Sequence, residues 1–93
     1  MTARTQTPDE KAIDHEVGAM LRQLREGKRL SVERVARSLH VAHNTVTSWE
    51  RGERTMSVQR FVNYCSAIDV DPRLVFAAIA RSTPEEEPDS TDS

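Results

Sequence analysis

The sequence predicts an all-α fold in which most of the 93 residues form one small domain of five helices. Apolar residues recur at intervals of three and four in five successive segments, which is the period of an amphipathic helix. Residues that begin or end helices separate these segments. No segment shows the strict alternation expected of a half-buried strand, so we predict no sheet.

The first two helices are predicted from their apolar faces. The first covers residues 13–26, on the evidence of Ile13, Val17, Met20, Leu21 and Leu24. Gly27 follows, and we expect it to end this helix, because glycine is the usual residue just past a helix. The second covers residues 32–39, after Ser31 as a good N-cap. Its apolar face is Val32, Val35, Ala36 and Leu39.

The remaining three helices are predicted in the same way. The third covers residues 43–51, between the turn His40-Val41-Ala42 and Gly52. Ser57 caps a fourth, whose predicted buried stripe is Val58, Phe61, Val62, Cys65 and Ile68. Asp71-Pro72 opens a fifth, with Asp as the cap and Pro at the first helical position.

Helices two and three carry the most informative pattern. Ala36, Val41, Val46 and Trp49 have the spacing that lets two short helices pack at a steep angle across a tight turn. Ala36 is small where the two helices approach most closely. Val46 and Trp49 lie three residues apart on the buried face of the third helix. The opposite face of this third helix is therefore free to enter a DNA major groove.

Charge is distributed unevenly along the chain, although the net charge is only −2. Residues 17–68 contain nine Lys or Arg and four Asp or Glu, whereas residues 82–93 contain five acids and no base. We predict a flexible arm over residues 1–11, a folded domain over 12–81 and a disordered acidic tail over 82–93. A basic domain with acidic ends is typical of proteins that bind phosphate groups.

Several function classes are disfavoured by the residues present. No apolar run has membrane length, and the N-terminus lacks the apolar segment of a secretory signal. Cys65 is the only cysteine, which excludes an internal disulfide and fits a cytoplasmic location. His15, His40 and His43 lack further ligands at metal spacing. With no nucleophile–base pair or glycine-rich phosphate loop, we expect no enzyme, metal or cofactor.

From about Leu21 to Leu74 the chain resembles the XRE-type (Cro/CI-like) helix-turn-helix DNA-binding domain. The segments that carry the resemblance are LRQLRE, LSVERVARSLHV, NTVTSWERG and VDPRL, in four successive parts of the chain. The portion from ERGER to SVQR looks especially like actinobacterial regulators. The resemblance implies a five-helix lambda-repressor-like domain with the helix-turn-helix at helices two and three. It also implies a transcriptional regulator of double-stranded DNA, most often a repressor.

The resemblance also implies roles for individual residues. Base contacts fall on His43, Asn44 and Thr47, with Thr45 and Ser48 close by. Asn can pair with adenine through two hydrogen bonds. Phosphate contacts are expected from Arg25, Ser31, Arg51, Arg54 and Thr55. Arg25 and Glu50 match a pair that joins helix one to the end of helix three. Solvated side chains with no partner are the alternative interpretation of His43 and Asn44.

Two residues depart from the family pattern at the turn. His40 stands where Gly is usual, at a position that often needs positive φ, which His tolerates better than most residues. Ala42 stands where Ser or Thr often caps the recognition helix. We therefore expect a somewhat strained turn and a weak cap, with helix N–H groups available to a phosphate.

The fifth helix contains seven apolar residues in a row, from Leu74 to Ala80. One face of such a helix can pack on the core, but the rest of its apolar surface remains exposed. We therefore predict a homodimer contact through Leu74, Val75, Phe76 and Ile79. A fully buried terminal helix is the alternative. The competing function is a protein-interaction module, such as an antitoxin or adaptor, that uses this helix. No domain for a small-molecule effector is evident.

Overall fold

The computed structural model describes residues 8–82, and this part of the chain consists of five α-helices. They are α1 (Pro8–Gly27), α2 (Val32–Leu39), α3 (His43–Glu50), α4 (Val58–Ala67) and α5 (Pro72–Ser82). The predicted all-α class and the helix order are correct. None of these helices is long and apolar enough to cross a lipid bilayer. Residues 1–7 of the predicted arm and 83–93 of the predicted tail lie outside the described residues.

The helices surround a single apolar core. Helix α3 packs between α2 and α1, while α4 contacts α2 and α5 contacts both α1 and α4. Ala36, Val46 and Trp49 are buried where the predicted helix-turn-helix packs. The other buried apolar residues are Leu21, Val35, Tyr64, Cys65, Ile68, Val75 and Ile79. Burial raises the pKa of the Cys65 thiol to about 11, so this cysteine is an unreactive core residue.

Four helices end in the same backbone motif, with one residue in the left-handed region. These residues are Arg29, His40, Gly52 and Asp69, with φ between 57° and 75°. At each end, this residue's N–H bonds three residues back and the following N–H bonds five residues back. The predicted strain at His40 is therefore present, with φ 57° and ψ 44°. The prediction for Gly27 is wrong, because α1 includes Gly27 and Arg29 makes the turn.

The helix starts differ in their caps. The Oγ of Ser31 accepts a hydrogen bond from the N–H of Arg34, and Ser57 does the same for Arg60. Ala42 has extended backbone at the start of α3 but no side-chain acceptor. The cap of the third helix is therefore weaker than the two serine caps, as the sequence predicts.

The structure corrects two further expectations about the apolar stripes. Helix α1 begins at Pro8 rather than residue 13, so the helix includes part of the segment predicted as an arm. Val58 is 79% exposed, and Val62 and Ile13 are also exposed. Val58 is the first residue of α4, whereas Tyr64 and Cys65, farther along the helix, are buried in the core. The core therefore buries only part of the five-residue apolar stripe predicted for α4.

Helices α1 and α3 approach each other closely at Gly18. A Cβ at this position would lie 2.6 Å from the carbonyl oxygen of Glu50, which is closer than side-chain carbons approach backbone atoms. A Cβ at Gly52 would meet the His15 backbone nitrogen at 2.9 Å. The absence of two Cβ atoms therefore allows α1 to lie directly against the end of α3.

Candidate nucleic-acid interface

Helix α3 has one buried and one accessible face. Val46 and Trp49 are buried in the core, whereas His43 and Asn44 at the start of the helix are exposed. The adjacent turn sets this orientation, because α2 covers one side of α3 and α1 covers its end. Two polar side chains with hydrogen-bonding groups therefore project from the tip of a fixed helix.

Three further predicted base contacts are less accessible. Thr45, Thr47 and Ser48 are half-buried. The hydroxyl of Thr47 donates a hydrogen bond to the His43 carbonyl oxygen at 3.2 Å, so it is already bonded within its own helix. Its methyl group and its lone pairs remain for contact with another molecule. The exposed tip carries the stronger candidates, and the second turn of α3 flanks it.

Arg25 and Glu50 form a bidentate ion pair in the interior. Nε of Arg25 lies 2.7 Å from Oε2 of Glu50, and Nη2 lies 3.0 Å from Oε1. Nη1 donates to the Leu30 carbonyl oxygen at 2.8 Å, and the Tyr64 hydroxyl donates to Oε2 of Glu50. The hydrogen bonding of Arg25 to Glu50 raises the pKa of the guanidinium. Because three nitrogens of Arg25 are bonded internally, we no longer assign it a phosphate contact.

The hydroxyl of Ser31 retains a donor toward solvent. Its oxygen accepts the Arg34 N–H at 3.0 Å, as an N-cap does, and the residue is exposed. A hydroxyl that accepts through a lone pair keeps its proton for a second bond. Ser31 therefore combines an N-cap role with the ability to donate to a phosphate oxygen.

A basic depression lies beside the start of α3. Arg54 and Arg60 line it, together with Ala42 and Thr45 from the start of α3, in a volume of about 510 Å³. The guanidinium of Arg60 lies 5.9 Å from the centre of the Trp49 ring, over its face. Both arginines are exposed, as is Arg51 at the end of α3. The depression thus combines two positive charges with a helix start that lacks a side-chain cap.

Thr55 lies in the same loop but has a different partner. Its hydroxyl donates to Oδ2 of Asp14 at 2.7 Å, which ties the loop after α3 to α1. A phosphate oxygen would have to displace this carboxylate and would be repelled by it. We therefore do not retain Thr55 among the candidate phosphate contacts.

The predicted dimer contacts divide into two pairs. Val75 and Ile79 are buried in the core, so the prediction that they form a surface contact is wrong. Leu74 is 70% exposed and Phe76 is 65% exposed. Phe76 lines an apolar groove of about 530 Å³ between α1, α4 and α5. Its other walls include the exposed side chains of Ile13, Val58 and Val62.

The sequence analysis missed two residues of this region. Tyr64 is three residues after Phe61 and four before Ile68, so the helical period could have added it to the predicted stripe, which omitted it. Arg60 has no comparable signal, because an exposed arginine on a helix resembles any solvated charge. Its position over Trp49 depends on the packing of α4 beside α3.

Comparison with known proteins identifies the domain family of this chain. A family model described as a helix-turn-helix domain matches residues 16–77. The restriction-modification controller protein C.AhdI from Aeromonas hydrophila is 34% identical, over 70% of this chain and 98% of that protein, with a TM-score of 0.66. A comparison with curated protein sequences found no significant match.

Two other solved structures share the fold. The clp gene regulator ClgR from C. glutamicum is 23% identical, covers 80% of this chain and 96% of its own length, and has a TM-score of 0.72. An XRE-family like protein from Pseudomonas syringae pv. tomato str. DC3000 is also 23% identical, over 78% of this chain and 89% of its own, with a TM-score of 0.71. The chain therefore belongs to the helix-turn-helix domain family.

Proposed function

We propose that this regulator reads a specific double-stranded DNA sequence by placing α3 in the major groove. The observation that carries the proposal is the exposure of His43 and Asn44 on a helix whose opposite face, Val46 and Trp49, is buried. Asn44 can form two hydrogen bonds with adenine, and His43 can donate to a guanine acceptor. Thr45, Thr47 and Ser48 contribute contacts from the following turn.

Phosphate contacts hold the helix in the groove under this proposal. Ser31 donates from the start of α2, and Arg51, Arg54 and Arg60 provide positive charge beside both ends of α3. These groups contact the backbone of either strand and carry no sequence information, so they set affinity and orientation. Family membership favours this function over the alternative of a protein-interaction module.

Selection of binding sites from random DNA, with the full chain, tests the proposal directly. We expect a symmetric site with half-sites about one helical turn apart. Asn44→Ala should change the preferred base at one position of each half-site and leave the salt dependence unchanged. Arg54→Ala should weaken binding to all sequences and reduce the slope of log K against log salt by about one.

The exposed Arg22→Ala variant is the matched control, because Arg22 pairs with Glu26 on the surface of α1 and should change neither property. Failure of the full chain to enrich any sequence would contradict the proposal. So would an Asn44→Ala variant that selects the same sequence with the same affinity.

We also propose that the protein acts as a homodimer and represses transcription. A single domain of this size reads few base pairs, and a second copy doubles the recognised sequence. The exposed Phe76 and the apolar groove that it lines form the surface that a second copy would cover, and Leu74, exposed outside this groove, is the other proposed contact. Repression by covering a promoter is proposed by analogy with other small domains of this fold. Transcription in vitro from a promoter that overlaps the selected site measures repression. An increase in transcript on addition of the protein would contradict it.

A further inference from the structure

The hydroxyl of Tyr64 is not required for the apolar packing of the core. Tyr64 is 0% exposed, and a phenylalanine would fill nearly the same space without a polar atom to satisfy. The hydroxyl instead donates to Oε2 of Glu50, the oxygen that also accepts from Nε of Arg25. Burial raises the pKa of this hydroxyl well above its usual value, so Tyr64 remains a donor at neutral pH. The bond joins two helices that carry different parts of the proposed DNA interface.

Glu50 is the last residue of α3 and is held from two directions. Arg25 binds its carboxylate from α1, and Arg25 is itself held by the Leu30 carbonyl oxygen at 2.8 Å. Tyr64 binds the same carboxylate from α4. A bidentate pair to α1 fixes the end of α3 against one neighbour and leaves its placement relative to α4 to the packing of both helices against α2. The Tyr64 hydroxyl adds a directional constraint on that second placement.

The two helices joined by this bond carry complementary groups. Helix α3 presents His43 and Asn44, whereas α4 carries Arg60 one helical turn before Tyr64, in the basic depression. Base contacts and phosphate contacts of one domain must engage the same duplex together. A small change in the position of α3 relative to α4 would therefore allow one set of contacts at the expense of the other.

We propose that Tyr64 is a positioning residue for DNA recognition, which fixes α3 relative to α4 through its hydrogen bond to Glu50. Tyr64 does not touch DNA, since it is fully buried. The proposal rests on the proposed function. It assigns sequence discrimination to a side chain in the core, and it predicts that this property can be lost while the fold and the phosphate contacts remain.

The test compares Tyr64→Phe with Ile68→Val, which removes one buried methyl group from the same helix and no hydrogen bond. The probes are the DNA site selected from random sequence and a duplex of scrambled sequence. We expect Tyr64→Phe to weaken binding to the selected site about tenfold, because binding must then restore the arrangement of α3 and α4 that the hydrogen bond holds in the free protein, with little change on the scrambled duplex. Each protein is measured at the same number of degrees below its own Tm. Under these conditions Ile68→Val should keep the wild-type ratio of the affinities for the two duplexes.

Native-state amide hydrogen exchange of the free protein gives an independent readout. We expect Tyr64→Phe to lower protection selectively at Arg51, Gly52 and Glu53, whose N–H groups close the end of α3. An unchanged affinity ratio, or a loss of protection spread as in Ile68→Val, overturns the proposal. If the wild-type chain selects no DNA, the proposed function fails, and the exchange pattern alone then decides whether Tyr64 fixes α3.

Discussion

Arg25 and Glu50 are charged residues of which only 8% is exposed. Their two short hydrogen bonds, with further partners at Leu30 and Tyr64, satisfy the groups that burial removes from water. The desolvation cost of such a pair offsets much of its attraction, so its main effect is on geometry. Loss of one partner is different, because the other charge then remains buried and uncompensated.

We predict that Arg25→Ala lowers the free energy of unfolding by about 3–5 kcal/mol, since Glu50 is left without its cationic partner. Urea denaturation monitored by the fluorescence of Trp49 measures this change. DNA affinity should fall as well, because the end of α3 loses its attachment to α1. Arg22→Ala is the control and should cost at most about 0.5 kcal/mol, as expected for an exposed i,i+4 pair. A variant with wild-type stability and affinity would show that the pair is dispensable.

Sequence reasoning reached this site in part. The pairing of Arg25 with Glu50, 25 residues apart, followed only from the family resemblance, because no periodic pattern connects two helices that are distant in sequence. The exposure of His43 and Asn44 followed from the opposite burial of Val46 and Trp49. The bonds of Thr55 to Asp14 and of Tyr64 to Glu50 depend on packing between helices that local patterns do not describe.

At the scale of the elements, the helix-turn-helix depends on how each helix ends. Three of the four left-handed positions, Arg29, His40 and Asp69, are not glycine. The hydrogen bonds of the motif and the apolar contacts on either side hold these residues in a backbone region that disfavours a Cβ. The turn between α2 and α3 therefore keeps its shape at a cost in stability.

The same reasoning predicts that His40→Gly stabilises the domain. Relief of the left-handed backbone is worth about 1–2 kcal/mol, and the greater freedom of glycine in the unfolded chain removes about half of that gain. We expect a net increase of about 0.5–1 kcal/mol in the free energy of unfolding, measured by thermal denaturation. A loss of stability would indicate that the His40 side chain makes a contact worth more than the strain.

A second prediction at this scale concerns the contact between α1 and α3. Gly18→Ala should destabilise the protein by about 1–3 kcal/mol or more, because its Cβ would overlap the backbone at the end of α3. Gly27→Ala, in the same helix with no atom within 4 Å, is the control. It should be neutral or stabilise by up to about 1 kcal/mol, through helix propensity. Equal effects of the two substitutions in thermal unfolding would exclude a close approach at Gly18.

For the whole molecule, the arrangement of surfaces matters more than any single helix. The exposed tip of α3 and the basic depression lie beside each other, whereas α1, α4 and α5 surround the apolar groove. Residues 17–68 carry the excess of positive charge, so the net charge of −2 does not describe the surface offered to DNA. One domain thus has a polar, basic site and an adjoining apolar surface, and Arg54 lines both.

We predict that the apolar surface forms a homodimer in solution. Sedimentation equilibrium should give a mass of two chains, and Phe76→Glu or Val62→Glu should shift the equilibrium to monomer by placing a charge in the groove. Gln23→Glu, exposed on α1 outside the groove, is the control for added charge. A wild-type chain that stays monomeric both free and on its selected DNA would contradict the proposal.

The sequence by itself determined the five helices, their order and the inward direction of Val46 and Trp49, because the apolar period and the capping residues act locally along the chain. Only the tertiary structure decided which apolar residues the core covers. It buries Val75 and Ile79 yet leaves Phe76, Val58 and Val62 exposed. The physical reason is that a helical stripe gives a direction, whereas burial depends on which neighbouring helix occupies that direction.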